Sequence, residues 1–289
     1  MRVLAAASLE EALAAKAEHP EAVPLAGGTD LMVELNFDRR RPEMMLDLTR
    51  VPELRQWSRS NGHIKLGAAV TYSSIISEIA KELPGLAMAS RTVGSPQIRN
   101  RGTVGGNLGT ASPAGDALPP LMSTGAVVQV ASTGGRRDVP LRAFLVGPKA
   151  NALEPNELIT SIEVPVARGP QQFSKIGTRN AMVIAVAAFA LSLDVTRRAI
   201  GTGIGSAGPV VLKAVEAERF LSSALDETDA WDSGRPPDDA TLTRFGELVA
   251  SAARPIDDVR GTAAYRRHAL FVLARRTFKW AWDAYREQL

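Results

Sequence analysis

Two glycine-rich segments constrain this chain more than any other feature: Leu25-Ala-Gly-Gly-Thr-Asp-Leu31 and Thr103-Val-Gly-Gly-Asn-Leu-Gly-Thr-Ala-Ser-Pro-Ala-Gly-Asp116. Glycine lets a backbone approach a ligand closely and take positive φ, so successive N–H groups can line one concavity where an anion sits. Thr29, Thr103, Asn107 and Ser112 add hydroxyl and amide groups of the kind that hold a pyrophosphate without a metal. One such segment alone reads equally well as a tight turn. Two, with hydroxyl neighbours and in the same half of the chain, favour a dinucleotide.

The 289 residues predict about two domains at roughly 150 residues each. Cysteine is absent, which excludes disulfides, thiolate nucleophiles and cysteine-held zinc or iron–sulfur centres within the chain. Thirty-four Lys and Arg against 31 Asp and Glu leave a formal charge of only +3. The arginine pairs and runs at 39–41, 197–198, 266–267 and 275–276 lie among acidic residues without stacking aromatics, so they read as solvated faces and no nucleic-acid partner is expected. The longest apolar run, Ala181 to Leu191, falls short of the ~20 residues of a membrane span. The start of the chain, with Glu10 and Glu11 close behind Val3 to Ala7, is too short and too acidic for a signal peptide. A cytoplasmic chain with no membrane span is therefore expected.

Local patterns place the glycines. Ser8 with Glu11 predicts a capped helix running to about His19, and Val23 to Ala26 a buried strand. Gly27 to Asp30 then form a strand-to-helix turn. Met44 to Leu48 reads as a strand, and Ser60-Asn-Gly62 and Thr133-Gly-Gly135 as hairpin turns. Thr71–Leu83 and Gly85–Val93 carry helical spacing. Leu158–Val166 closes the first half as a strand, with Pro165, Gly169 and Pro170 marking a boundary. Strands at 173–176, 184–193 and 199–204 follow, the last two joined by a turn at Asp194–Arg197. Val211–Ser222 reads as a helix, 226–239 as an exposed loop, and 262–285 as a long helix burying Tyr265, Ala269, Val272, Leu273 and Trp280. Gly203-Ile-Gly205-Ser-Ala-Gly208 is the only G-x-G-x-x-G spacing, but it follows a hairpin return strand and precedes Pro209, so it does not read as a βαβ dinucleotide turn.

Ala26-Gly-Gly-Thr-Asp-Leu31, Thr103-Val-Gly-Gly-Asn107 with Ser112-Pro-Ala-Gly-Asp116, Pro155-Asn-Glu-Leu-Ile-Thr-Ser-Ile-Glu-Val-Pro165 and Phe173-Ser-Lys-Ile-Gly-Thr-Arg179 occur in that order. Together they resemble the FAD-binding subunit of the molybdenum hydroxylases, as in the medium chain of aerobic carbon monoxide dehydrogenase and the FAD domain of xanthine dehydrogenase. Asp258-Val-Arg-Gly-Thr-Ala-Ala-Tyr-Arg266 resembles that family's C-terminal signature, so the likeness covers nearly the whole chain.

The resemblance implies an α+β chain: a two-subdomain FAD-binding fold of the vanillyl-alcohol-oxidase type over 1–167, with subdomains of about 1–55 and 56–167, then an α+β domain over 168–289 with an antiparallel sheet and helices. It implies non-covalent FAD. Pro24, Leu25, Ala26, Gly27, Gly28, Thr29, Asp30 and Leu31 would wrap the pyrophosphate and ribose, and Thr103, Val104, Gly105, Gly106 and Asn107 would form the second phosphate-facing turn. Ser112 would add a hydroxyl, Asp116 would accept from the cofactor's polar edge, and Leu66 and Ile159 would give apolar contacts. Lys175 matches the family's lysine beside the flavin, where a cation favours negative charge. No catalytic residue and no metal ligand is expected on the chain itself. The implied partners are a large molybdenum-pterin subunit and a small subunit with 2Fe–2S clusters, assembled as a dimer of heterotrimers, with an external electron acceptor. A self-contained FAD oxidase of the same fold is the alternative. Many such enzymes need a base or a His or Cys near the flavin, and the three histidines, His19, His63 and His268, lie outside both glycine segments.

Overall fold

The first helix begins where its capping pattern predicts. Ser8 Oγ accepts the Glu11 N–H at 3.1 Å, and Glu11 Oε2 reaches back to accept the Ala7 N–H at 2.8 Å. A computed structural model describes residues 1–289 and divides them into two compact units. Unit 1 takes Met1–Glu78, Gly94–Ser112 and Ala126–Pro165; unit 2 takes Ile79–Val93, Pro113–Gly125 and Val166–Leu289.

In chain order, β1 (Arg2–Ala5), α1 (Leu9–Glu18), β2 (Val23–Leu25), α2 (Leu31–Asn36) and β3 (Met44–Asp47) come first. Their strands form a parallel sheet in the order β1-β3-β2. Pro24 is tolerated in β2 because that strand is an edge. After a 3-10 turn at Pro52–Arg55 come β4 (Trp57–Ser60), β5 (His63–Gly67), α3 (Tyr72–Glu78), α4 (Pro84–Thr92), α5 (Pro96–Arg101), α6 (Val104–Thr110) and α7 (Leu118–Thr124). Asn61 and Gly62, with φ of 50° and 74°, turn the β4–β5 hairpin as the Asn-Gly pair predicts. Next are β6 (Val127–Ser132), β7 (Gly135–Pro140), α8 (Leu141–Phe144), β8 (Leu145–Gly147), β9 (Ala150–Asn151) and β10 (Leu158–Pro165). β4-β5-β10-β6-β7 is an antiparallel sheet whose buried face carries Ile64, Leu66, Val128, Val130 and Ile162.

On the edge strand of that sheet, Arg137 of β7 clips the loop before β10. Its Nε and Nη2 donate to the two Glu157 carboxylate oxygens, each at 2.7 Å, and Nη2 also donates to the Ala152 carbonyl. Arg137 holds the Glu157 carboxyl below the usual range. A carboxyl lowered by folding stabilises above its ordinary pKa of about 4.3, and the contribution fades as pH falls through the lowered value. Because Arg137 is half exposed, Glu157→Gln is expected to cost only on the order of 1 kcal/mol at neutral pH. Denaturant midpoints of the two proteins should converge as pH falls below that lowered value.

Unit 2 is built on β11 (Gln171–Ile176), β12 (Ala187–Asp194) and β13 (Ala199–Gly205), an antiparallel sheet covered by α9 (Val215–Glu227), α10 (Ala230–Ser233), α11 (Asp239–Ala252) and α12 (Ala263–Arg286). Edge-to-face aromatic contacts link Phe189, Phe245 and Phe278, and Phe278 stacks on Trp282 at 5.4 Å.

Three expectations are corrected here. The stretch 226–239 is not simply an exposed loop. It folds over α10, whose Trp231 is buried against Trp282 and Tyr285, and Tyr285 donates to the Trp231 carbonyl. Four helical residues are too few to show periodicity. In α12, Tyr265 and Trp280 are about half exposed; the buried face runs instead through Leu270, Ala274, Phe278 and Trp282. That face includes two polar residues, which masked it: Thr277, bonded to Ser174 at 2.6 Å, and Arg266. Arg266 is not solvated. It is 3 % exposed, its Nη1 donates to the Val186 and Ser206 carbonyls, and its Nη2 pairs with Asp258 at 2.5 Å, joining the two ends of the C-terminal signature.

Gly203 and Gly205 of the G-x-G-x-x-G spacing have a packing role. With Gly201 they line one face of β13 against α7, where a Cβ would stand 1.9 Å from the Ser123 carbonyl oxygen at Gly201 and 2.0 Å from that of Pro119 at Gly203.

Candidate cofactor site

In unit 1 the first glycine segment leaves the edge strand β2 at Leu25 and enters α2 at Leu31, the strand-to-helix turn expected. Its two glycines do different work. A Cβ on Gly27 would stand 1.9 Å from the Arg101 carbonyl oxygen, so this glycine is the point where the two glycine-rich regions touch. Gly28 turns the chain with φ +76°, and a Cβ there would touch the Leu25 and Met32 side chains at 3.4 and 3.5 Å. Asp30 occupies the cap position of α2 but makes no capping bond; its Oδ2 accepts the Thr110 hydroxyl at 2.9 Å, a second tie between the segments.

The second segment is a helix start and not an irregular loop. Thr103 Oγ1 accepts the Gly106 N–H at 2.9 Å and caps α6. Gly105 lies flat against Ala68, whose carbonyl accepts the Gly105 N–H at 2.9 Å. Gly106 meets nothing but the Thr103 hydroxyl. Asn107 Oδ1 is buried without a hydrogen-bond partner, and the Thr29 hydroxyl makes no bond. A buried amide oxygen without a donor costs about 1–3 kcal/mol, so its persistence marks a place where a ligand donor belongs. Leu66 is fully buried in the core of the five-stranded sheet, whereas Ile159 is 8 % exposed on β10, beside Gly109 of α6.

Unit 2 brings Asp116 and Lys175 together. Lys175 Nζ donates to Asp116 Oδ2 at 2.6 Å and to the Thr92 and Val183 carbonyls at 3.1 Å each, so all its protons are committed. Thr92 Oγ1 also reaches Asp116 Oδ2, at 3.2 Å. Both charged side chains are about nine-tenths buried. Burial pushes the Asp116 carboxyl up, against the pull of the Lys175 ammonium and the Thr92 hydroxyl. Its other oxygen, Oδ1, is buried and unpaired, so this carboxylate keeps one acceptor free for a ligand donor. Thr92 carries no sequence motif that would have singled it out; only the fold sets it beside Asp116.

In unit 1 the positive-φ turn at Gly28 and the open backbone at Gly106 suit a diphosphate-bearing ligand, and Asn107 Oδ1 is a buried acceptor without a donor; in unit 2 Asp116 Oδ1 is another such acceptor. No group of three or more His, Cys, Asp or Glu is arranged to hold a metal ion, and no helix is long and apolar enough to cross a membrane.

Comparison with known proteins identifies the family. Residues 1–167 match the family described as FAD binding domain in molybdopterin dehydrogenase, and residues 172–281 match the CO dehydrogenase flavoprotein C-terminal domain. The chain is 31 % identical to the glyceraldehyde dehydrogenase medium chain of Sulfolobus acidocaldarius, over 95 % of both proteins, and 32 % identical to the nicotinate dehydrogenase FAD-subunit of Eubacterium barkeri, over 94 % of this chain and 92 % of that one. Its fold superposes on carbon monoxide dehydrogenase of Hydrogenophaga pseudoflava with a TM-score of 0.87 at 26 % identity, covering 98 % of each chain. Quinoline 2-oxidoreductase of Pseudomonas putida 86 gives 0.88 at 27 % identity, over 99 % of this chain and 97 % of that one. The chain belongs to the FAD-binding medium-subunit family of the molybdenum hydroxylases, an oxidoreductase subunit whose cofactor is FAD.

Proposed function

We propose that this chain is the electron-transfer subunit of a cytoplasmic, heteromeric molybdenum hydroxylase. It would receive electrons from a small iron–sulfur subunit and deliver them through FAD to an external acceptor. Substrate hydroxylation would take place on a large molybdenum-pterin subunit, in a dimer of heterotrimers. The relatives' names support this division, since they are medium chains and FAD-subunits of dehydrogenases, and one neighbouring structure is described by the molybdenum cofactor it partly lacks. The observation that carries the reading is the pairing of two glycine segments through Asp30–Thr110 and Gly27–Arg101, with Asn107 Oδ1 buried and unpaired beside them. The absence of cysteine supports it too, because an iron–sulfur relay must then be supplied by another chain.

When bound, FAD supplies chemistry that couples one-electron and two-electron transfer. This chain's part is to bind and tune it. Pro24 to Leu31 and Thr103 to Asn107 would hold the diphosphate with backbone N–H groups and hydroxyls, with Ser112 and Ile159 beside them and Leu66 supporting the sheet beneath. Asp116 Oδ1 would accept a hydrogen bond from the ring's polar edge. Lys175, wholly bonded to Asp116, Thr92 and Val183, would act by fixing that carboxylate and its charge.

The purified chain is expected to be yellow, with a flavin absorption spectrum and one FAD per chain. Co-expressed with its partners, it should co-purify with molybdenum and iron in fixed ratio. A colourless chain that takes up no FAD would overturn the site, and turnover of an organic substrate by the chain alone would overturn the subunit reading in favour of a self-contained oxidase.

A further inference from the structure

The buried guanidinium of Arg266 is shared among three acceptors: the Val186 carbonyl at 2.9 Å, the Ser206 carbonyl at 2.6 Å and Asp258 Oδ1 at 2.5 Å. Asp258 is tied down in turn, since its Oδ1 also accepts the Arg260 N–H at 2.8 Å. Replacing a buried ion pair by apolar side chains of the same volume is often neutral, so stability alone does not account for this one. The planar fork of arginine fixes the directions of several acceptors at once, which a lysine ammonium does not.

Both carbonyls lead to the Asp116–Lys175 pair. Val186 donates its N–H to the Ile176 carbonyl at 2.7 Å, and Ile176 directly follows Lys175 on β11. The segment closed by that bond carries Val183, whose carbonyl accepts one Lys175 proton. Ser206 donates its N–H to the Pro113 carbonyl at 2.8 Å, at the head of the run Pro113-Ala-Gly-Asp116. Ser206 is buried at φ +58°, in the left-handed region that a non-glycine residue keeps only where its surroundings over-determine it. Its hydroxyl makes no bond, so what holds it is Arg266 on its carbonyl and Pro113 on its N–H. All of these residues lie in unit 2.

We propose that Arg266 is a positioning residue for the Asp116–Lys175 pair, oriented by Asp258 and acting through the backbones of Val186 and Ser206. Its effect on the cofactor rests on the FAD reading; the fixing of the pair is a property of the chain alone.

The test compares the full chain with Arg266→Lys, which keeps the charge but not the fork, and circular dichroism confirms the fold. The flavin-free proteins are treated with acetic anhydride, and acetylation of Lys175 is followed by mass spectrometry beside that of Lys213, a lysine of the same unit paired with Glu218. In the wild type Lys175, nine-tenths buried with every proton committed, should react slowly. Because labelling of a buried amine follows local opening, Arg266→Lys should raise the Lys175 rate at least about fivefold and leave Lys213 unchanged. An unchanged Lys175 rate in the folded variant overturns the inference, and so does an equal rise at both lysines, which is what a general loosening of unit 2 would give. Should Arg266→Lys not fold, Asp258→Asn, which keeps the arginine and removes its counter-charge, takes its place under the same criteria. FAD titrated onto the same proteins by flavin fluorescence should bind the variant about fivefold or more weakly, the range of one weakened hydrogen bond. A selective rise at Lys175 without loss of FAD affinity upholds the positioning and removes Asp116 from the cofactor site. If the wild type takes up no FAD, the FAD reading fails and the labelling rates still decide the inference.

Discussion

Lys175→Met is expected to destabilise unit 2 by about 3–5 kcal/mol, the cost of removing one partner from a buried ion pair. The ammonium has no alternative to replace: its three protons go to Asp116 Oδ2, the Thr92 carbonyl and the Val183 carbonyl. Methionine fills similar volume but leaves the Asp116 carboxyl with only the Thr92 hydroxyl on one oxygen and nothing on the other. Burial already pushes that carboxyl up, and Lys175 is the larger of the forces opposing it. In the variant the carboxyl therefore stays protonated to higher pH. A folded-state pKa raised above the unfolded value, about 3.9 for aspartate, gives stability that is fully present below that unfolded value and is lost as pH rises through the folded one. The gap between wild type and variant should thus be small in acid and widen toward neutral pH. Adding Asp116→Asn removes the ionisable group and should recover most of the loss and flatten the pH dependence. Thermal melts of the three proteins across pH measure this, and a Lys175→Met protein that melts like wild type at neutral pH would show that the pair does not hold unit 2 together.

What could be read from the sequence is what neighbouring residues encode. The Ser8 cap, the Asn61-Gly62 hairpin and the turn from β2 into α2 each rest on chemistry within a few positions, and each stands where it is expected. The glycine segments are recognisable for the same reason, and so is their suitability for a diphosphate. The rest needed distant partners. Nothing near Gly27 in sequence says that it abuts Arg101, and nothing near Asp30 says that Thr110 will replace its helix-capping bond. Gly203 and Gly205 have the spacing of a nucleotide loop, yet they exist so that α7 can lie on β13. Arg266 looks like any surface arginine until two carbonyls and Asp258 close around it.

The adjacent glycines at 105 and 106 should separate folding from cofactor binding. A Cβ at Gly105 would lie 2.4 Å from the Ala68 carbonyl oxygen and 2.6 Å from the Ala68 Cβ, neither of them the far end of a flexible side chain. Gly105→Val must therefore push α6 off its support and break the bond from the Gly105 N–H to that carbonyl. The expected loss is about 3 kcal/mol or more, seen as insoluble protein or a much lower melting temperature. At Gly106 the added Cβ meets only the Thr103 hydroxyl, 3.0 Å away, and an ordinary residue in a helix is less costly than glycine by a few tenths of a kcal/mol to about 1 kcal/mol. Gly106→Val should therefore melt close to wild type. If the backbone there faces the diphosphate, the same side chain blocks its approach and FAD affinity should fall at least about a hundredfold, equivalent to roughly 2.7 kcal/mol. The signature is a folded, colourless Gly106→Val protein beside an unfolded Gly105→Val protein. Retention of FAD by Gly106→Val would move the phosphate site away from this turn, and a stable Gly105→Val would deny that the first glycine is there for packing.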